Sequence, residues 1–121
     1  MEKGNNLTKY IVYLTTNLVN NKIYIGVHKT TDPYKFDGYL GCGIYANDKH
    51  SYLYNKNPLG KAVTKYGPNN FIRVTLKVFD TRLLAENLER DLVNKEFINR
   101  SDTYNAIEGG GSPPITTKLI Y

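Results

Sequence analysis

Two apolar runs of period two, joined by an Asn-rich connection, occupy Tyr10 to Lys29, and no other stretch limits the fold so tightly. In the second run Ile23, Ile25 and Val27 alternate with Tyr24, Gly26 and His28. Successive side chains of a strand point to opposite faces, so the aliphatic set and the Tyr-Gly-His set cannot share one. A turn over Leu18 to Asn21 pairs Thr15 with Tyr24, Tyr13 with Gly26 and Ile11 with His28. That register gathers Tyr13, Tyr24 and His28 around a position without a side chain. Two readings follow: a functional site, or an exposed sheet face of strand-forming residues with a glycine bulge.

Three further elements complete an α+β domain. Leu59 to Tyr66 carries Leu59, Ala62 and Val63 at helical spacing, with Pro58 at its start and Gly67 as a stop. Phe71 to Phe79 alternates as a third strand, with Ile72, Val74, Leu76 and Val78 expected inward and Arg73, Thr75 and Lys77 outward. Asp80 or Thr81 caps a long helix expected to run to about Asn99 on a stripe of Leu84, Ala85, Leu88, Leu92 and Ile98. Glu89 lies at the stripe's margin, where a carboxylate either projects into a cleft or stays solvated. Thr30 to Pro58, with Gly38, Gly41, Gly43 and five tyrosines, shows no lasting period and reads as a long irregular loop, either substrate-facing or a surface excursion. Gly109 to Gly111 with Ser112, Pro113 and Pro114 reads as a linker or chain reversal before a tail over 112–121. The expectation is a single domain over 1–121, its core at about 9–111: a small three-stranded antiparallel sheet flanked by helices.

Composition removes several function classes. Cys42 is the sole cysteine, which excludes a disulfide framework and a cysteine-based zinc site. No run approaches the roughly 18 apolar residues that span a bilayer, and the polar MEKGNNLTK lacks a secretion signal's apolar centre, so an intracellular setting is expected and no membrane. A net charge of +5 suits a polyanionic partner without requiring one. Tyrosine dominates the aromatics, 11 against 4 Phe and no Trp, which favours a wet contact surface.

Taken together, these residues resemble the GIY-YIG nuclease superfamily. The first motif stands as Ile11-Val12-Tyr13 and the second as Tyr24-Ile25-Gly26, their tyrosines eleven residues apart. KYGPNNF at 65–71, Glu89 in LERDLV and Asn105 in DTYN resemble the later motifs in order, and GVHKT with DGYLGCG is similar to phage-type, homing-endonuclease-like members. The resemblance implies divalent-metal-dependent hydrolysis of DNA phosphodiesters, with Mg²⁺ or Mn²⁺ as cofactor. Tyr13 would accept a proton from the attacking water or orient it. Tyr24 would contact the phosphate or a metal-bound water. Gly26 would admit close approach of substrate, Glu89 would be the single protein ligand of the ion, and Asn105 would brace the site. The family's usual arginine beyond the second motif is missing here. His28 or Lys29 is the first choice for that cationic role, then Lys35, then Arg73, and His28 could instead be a general base. Ile11 and the missing arginine leave a second expectation, a degenerate member that binds nucleic acid without cutting. Double-strand cleavage would call for a dimer or a separate DNA-recognition module.

Overall fold

The computed structural model of the chain describes residues 7–110. In chain order it contains β1 (Lys9–Asn17), β2 (Ile23–Thr30), β3 (Tyr39–Gly41), β4 (Ile44–Tyr45), α1 (Lys49–Leu53), α2 (Pro58–Tyr66), a 3₁₀ turn at Pro68–Asn70, β5 (Phe71–Phe79), α3 (Arg82–Leu92) and α4 (Lys95–Ile98). The main sheet is antiparallel with order β2-β1-β5, and β3 and β4 form a separate two-stranded ladder. The α+β expectation holds. So does the hairpin register, with Thr15 opposite Tyr24, Tyr13 opposite Gly26 and Ile11 opposite His28. Asn21 takes a positive φ of 65° in the turn, a conformation asparagine tolerates.

Each face of the sheet carries its own apolar cluster. On one side Val12 and Ile25 pack against Ala85, Val93 and Phe97 of the C-terminal helical region. On the other, Leu40, Ile44, Tyr52, Leu59, Val63 and Phe71 form a second cluster built on residues 40–63. Residues 31–38 are irregular as expected, but the rest of the 30–58 segment is not one loop. Residues 39–53 carry β3, β4 and α1, with Leu40 and Ile44 fully buried. Elements of two to five residues are too short for a period to register in sequence.

The long helix also departs from expectation, ending at Leu92 instead of Asn99. Thr81 is its cap, its side chain accepting from the Leu84 amide, and Val93 closes it. Asn94 then caps α4 by accepting from the Phe97 amide at 2.9 Å, which lets the chain turn while Val93 and Phe97 both stay in the core. The inward set on β5 is reversed as well. Ile72, Val74 and Leu76 are 46%, 47% and 46% exposed, whereas the Arg73 side chain is 2% exposed. Arg73 and Thr75 sit opposite Thr15 and Tyr13, on the tyrosine face. The pairing then slips by one residue between Val12 and Tyr13, which reverses the alternation beyond Leu76. The α2 helix, by contrast, matches its expected limits, with Asn57 as cap and Gly67 as stop. The tail expected at 112–121 lies outside the described residues.

Candidate active site

The tyrosine face is built around missing side chains. Tyr13, 1% exposed, lies over its cross-strand partner Gly26, where an added Cβ would collide with the Tyr13 hydroxyl and stand 2.7 Å from Cζ. Gly41, at a φ of +131° that disfavours any side chain, closes the pocket from above. A Cβ there would meet the Tyr24 ring at 2.8 Å and the Tyr13 hydroxyl at 2.9 Å. The space over Gly26 is thus filled by Tyr13 itself. Tyr13 and Tyr24 lie 6.3 Å apart by ring centroids, and Tyr39 stands edge-on to Tyr13 at 6.0 Å.

Alongside these rings opens a cleft of about 570 Å³, lined among others by Tyr13, Tyr24, Gly26, Cys42, Glu89 and Asn105. Asn105 ties off the free edge of β2: its side-chain oxygen accepts from the Ile25 amide at 2.9 Å and its amide nitrogen donates to the Ile25 carbonyl at 2.8 Å. This mimics a strand pair and fixes where β2 stops being covered. Thr103 adds a hydroxyl bond to the Ile23 carbonyl and another to the Asn105 oxygen.

Glu89 reaches the cleft from α3. Its Oε1 accepts from the Gly110 amide at 3.0 Å, and Arg90 holds the Gly110 carbonyl at 2.9 Å. Gly109 packs so closely that a Cβ there would stand 2.6 Å from the Glu89 carbonyl oxygen. Gly109 and Gly110 are therefore a helix-docking segment, not a linker. The sequence signal was the glycine run itself, which also marks close backbone approach.

Charges in the cleft follow from burial. Loss of solvent pushes the Glu89 carboxyl above its ordinary value, with Glu86 adding to the rise and Arg90 and Arg82 opposing it. Burial raises Tyr13 well above the usual phenol value, and Tyr24 and Tyr39 add to the rise. Tyr24 rises for the same first reason, with Cys42 next. Both phenols are neutral near pH 7, so each can donate a hydrogen bond. Cys42, at a positive φ of 55°, is pushed up by burial and stays a thiol.

The cationic candidates fall elsewhere. His28 Nε2 bonds the Asp37 carboxylate at 2.7 Å and its ring stacks on Tyr39 at 4.1 Å, outside the cleft lining. Arg73 donates to Asp37 Oδ1 at 3.1 Å and to the Tyr39 carbonyl at 2.9 Å, with its guanidinium 5.6 Å from the Tyr13 ring centre. Burial pushes Asp37 up, but the bonds from His28 and the Tyr39 amide, with the His28 and Arg73 charges, leave it below its ordinary value. Lys29 and Lys35 line a separate hollow with Asp32 and Asp37. The structure thus brings Tyr13, Tyr24, Gly26, Glu89 and Asn105 together, and leaves His28, Lys29, Lys35 and Arg73 out of the cleft.

The chain is 39% identical over 111 residues to the protein of Enterobacteria phage T4 named "Putative endonuclease segD", a match covering 92% of this chain and 43% of that protein. It is 39% identical over 112 residues to "Putative endonuclease segE" of the same phage, covering 92% of this chain and 47% of the relative. "Endonuclease segA" of phage T4 is 39% identical over 98 residues, with 81% of this chain and 38% of that protein covered. The chain spans less than half the length of these relatives. No family model matches it, and no solved structure does.

Proposed function

We propose that this chain is a divalent-metal-dependent DNA endonuclease domain of the GIY-YIG type, homing or mobile-element in character, that hydrolyses phosphodiester bonds. The observation that carries the reading is the convergence of Tyr13, Tyr24, Glu89 and Asn105, from four separated stretches of sequence, on one cleft. Similarity to phage proteins named as endonucleases supports it.

The residues fit a hard cation. One Glu89 oxygen is held by the Gly110 amide while burial leaves the carboxyl short of compensating charge, which a bound Mg²⁺ or Mn²⁺ would supply. Such ions take oxygen ligands and retain waters, so one carboxylate suffices when substrate oxygens complete the set. When bound, the ion would neutralise charge on the phosphoryl group and raise the acidity of water.

The protein's own part is positional. The raised Tyr13 and Tyr24 phenols keep their protons, so they donate hydrogen bonds to a water or a phosphoryl oxygen instead of acting as free bases. Asn105 holds the β2 edge against which they are aligned. His28 and Arg73 act through Asp37 and Tyr39, fixing the rings from behind. A double-strand break would need two such sites, from a dimer or by sequential nicking.

Relaxation of supercoiled plasmid in Mg²⁺ or Mn²⁺ tests the proposal. The expected result is cutting by the wild type and none by Glu89→Ala, with DNA binding in chelator unchanged. Binding without cleavage of duplex, branched and single-stranded DNA would make the chain a nucleic-acid-binding module instead.

A further inference from the structure

The charge of the cleft runs against its proposed substrate. In a chain of net charge +5, the cleft lining holds Glu86, Glu89 and Glu108 against one cation among the described residues, Arg82. A phosphodiester entering there is repelled by three carboxylates, of which Glu86 and Glu89 are half-buried, where charge interactions exceed those in water. Taking the nuclease reading as its basis, we infer that Arg82 is the catalytic cation that binds the non-bridging oxygens of the reacting phosphate.

Placement supports this. Thr81 caps α3, so Arg82 is its first residue, and Arg82, Glu86 and Glu89 follow at i, i+4 and i+7 on one helical face. The arginine therefore stands on the same stripe as the carboxylate proposed to hold the metal. A cation in the first turn opposes the helix dipole, and α3 has no acidic residue there to offset it.

Among the described residues, Arg82 makes no side-chain hydrogen bond, and its one ion pair is a long contact to Glu86. Its nearest carboxylate contact is Glu86 at 3.9 Å, its side chain is 52% exposed, and its guanidinium rests 5.1 Å from the Tyr10 ring centre. The other three arginines are committed. Arg73 is spent on Asp37 and the Tyr39 carbonyl, Arg90 on Asn87 and the Gly110 carbonyl, and Arg100 on Asp102. A planar fork with open N–H groups is the form suited to phosphate oxygens.

The experiment compares wild type, Arg82→Ala and Arg82→Lys in plasmid cleavage with Mg²⁺, with DNA binding measured against salt in chelator. For Arg82→Ala the expected loss is about 10²-fold in kcat with little change in KM. The slope of log affinity against log salt should fall by about one phosphate contact. Arg82→Lys should keep part of the rate, and millimolar guanidinium should partly restore Arg82→Ala while leaving Glu89→Ala inactive. A loss of rate with an unchanged salt slope and no guanidinium rescue would overturn the inference, as would Arg82→Ala cutting within twofold of wild type. A wild type that cuts nothing would instead fail the nuclease reading itself.

Discussion

The two faces of the sheet are held by different forces. Beneath α3, Val12 and Ile25 meet Ala85, Val93 and Phe97 in an all-apolar contact, stabilised by area removed from water and by close packing. The tyrosine face carries an apolar cluster of its own around Leu40, Ile44, Leu59 and Val63, and it is cross-linked as well. Thr15 donates to the Leu40 carbonyl at 2.7 Å, Thr75 to the Pro33 carbonyl, Arg73 to the Tyr39 carbonyl, and His28 pairs with Asp37. Directional bonds fix where a ring stands, which apolar packing alone does less sharply. Both faces are packed, but only the tyrosine face adds the directional bonds that hold its hydroxyls in place, while Glu89 reaches the cleft from α3.

Exchanging charge on one face and volume on the other should separate these roles. Glu89→Gln is expected to lose at least about 10³-fold in cleavage rate while melting no lower than the wild type at pH 7–8. The sign follows from Glu89's raised carboxyl. A carboxyl whose folded value exceeds its unfolded one contributes stability below the unfolded value and loses it as pH rises through the folded one. Ionised Glu89 is therefore a net cost that glutamine removes. The same raised carboxyl predicts that Mg²⁺ binding to the DNA-free protein strengthens as pH rises through a value above that of an ordinary glutamate, which calorimetric titration measures.

Phe97→Ala is the mirror experiment. Phe97 is 8% exposed in the aliphatic cluster, so truncation should cost about 3–5 kcal/mol in chemical denaturation. The rate per folded molecule should stay near wild type, because Phe97 itself does not line the cleft. A variant that kept its stability but lost activity would dissolve the distinction between the faces.

Gly26→Ala joins the two effects. The new methyl would meet the Tyr13 ring, itself buried under Gly41, so the ring must move. Overpacking of this kind costs about 1–3 kcal/mol. Cleavage should fall further than stability explains, and Gly26→Ala combined with Tyr13→Phe should lose less rate than the separate effects imply.

How much was legible in the sequence divides along the same line. The hairpin and its register were readable because strict alternation over eight or nine residues, with one turn, admits a single pairing. Tyr13, Tyr24, Glu89 and Asn105 were readable through motif order. What could not be read was the covering of the tyrosine face: β3, β4 and α1 are too short to carry a period, and Leu40 and Ile44 are isolated apolar residues among glycines and tyrosines. Arg82 was missed because a basic residue at a helix start resembles surface charge until Glu86 and Glu89 are seen to share its cleft.

The smallest expected effect tests why β5 misled. Its alternation is genuine, but the apolar cluster beneath α3 takes in Phe79 and leaves out Ile72, Val74 and Leu76, so the row nominally facing inward stays about half exposed. Period two states which residues share a face, not whether anything covers it. Val74→Thr keeps the branched shape that strands favour and adds a hydroxyl that water can reach, so it should shift stability by no more than about 0.5 kcal/mol. Val12→Thr makes the same substitution on β1, at a residue 0% exposed, where the hydroxyl would enter the aliphatic cluster and cost about 1–3 kcal/mol. Denaturation of both variants measures the difference directly. Equal losses would mean that β5 is as well covered as β1, and the apolar pattern of the third strand would then have been a sound guide to its buried face.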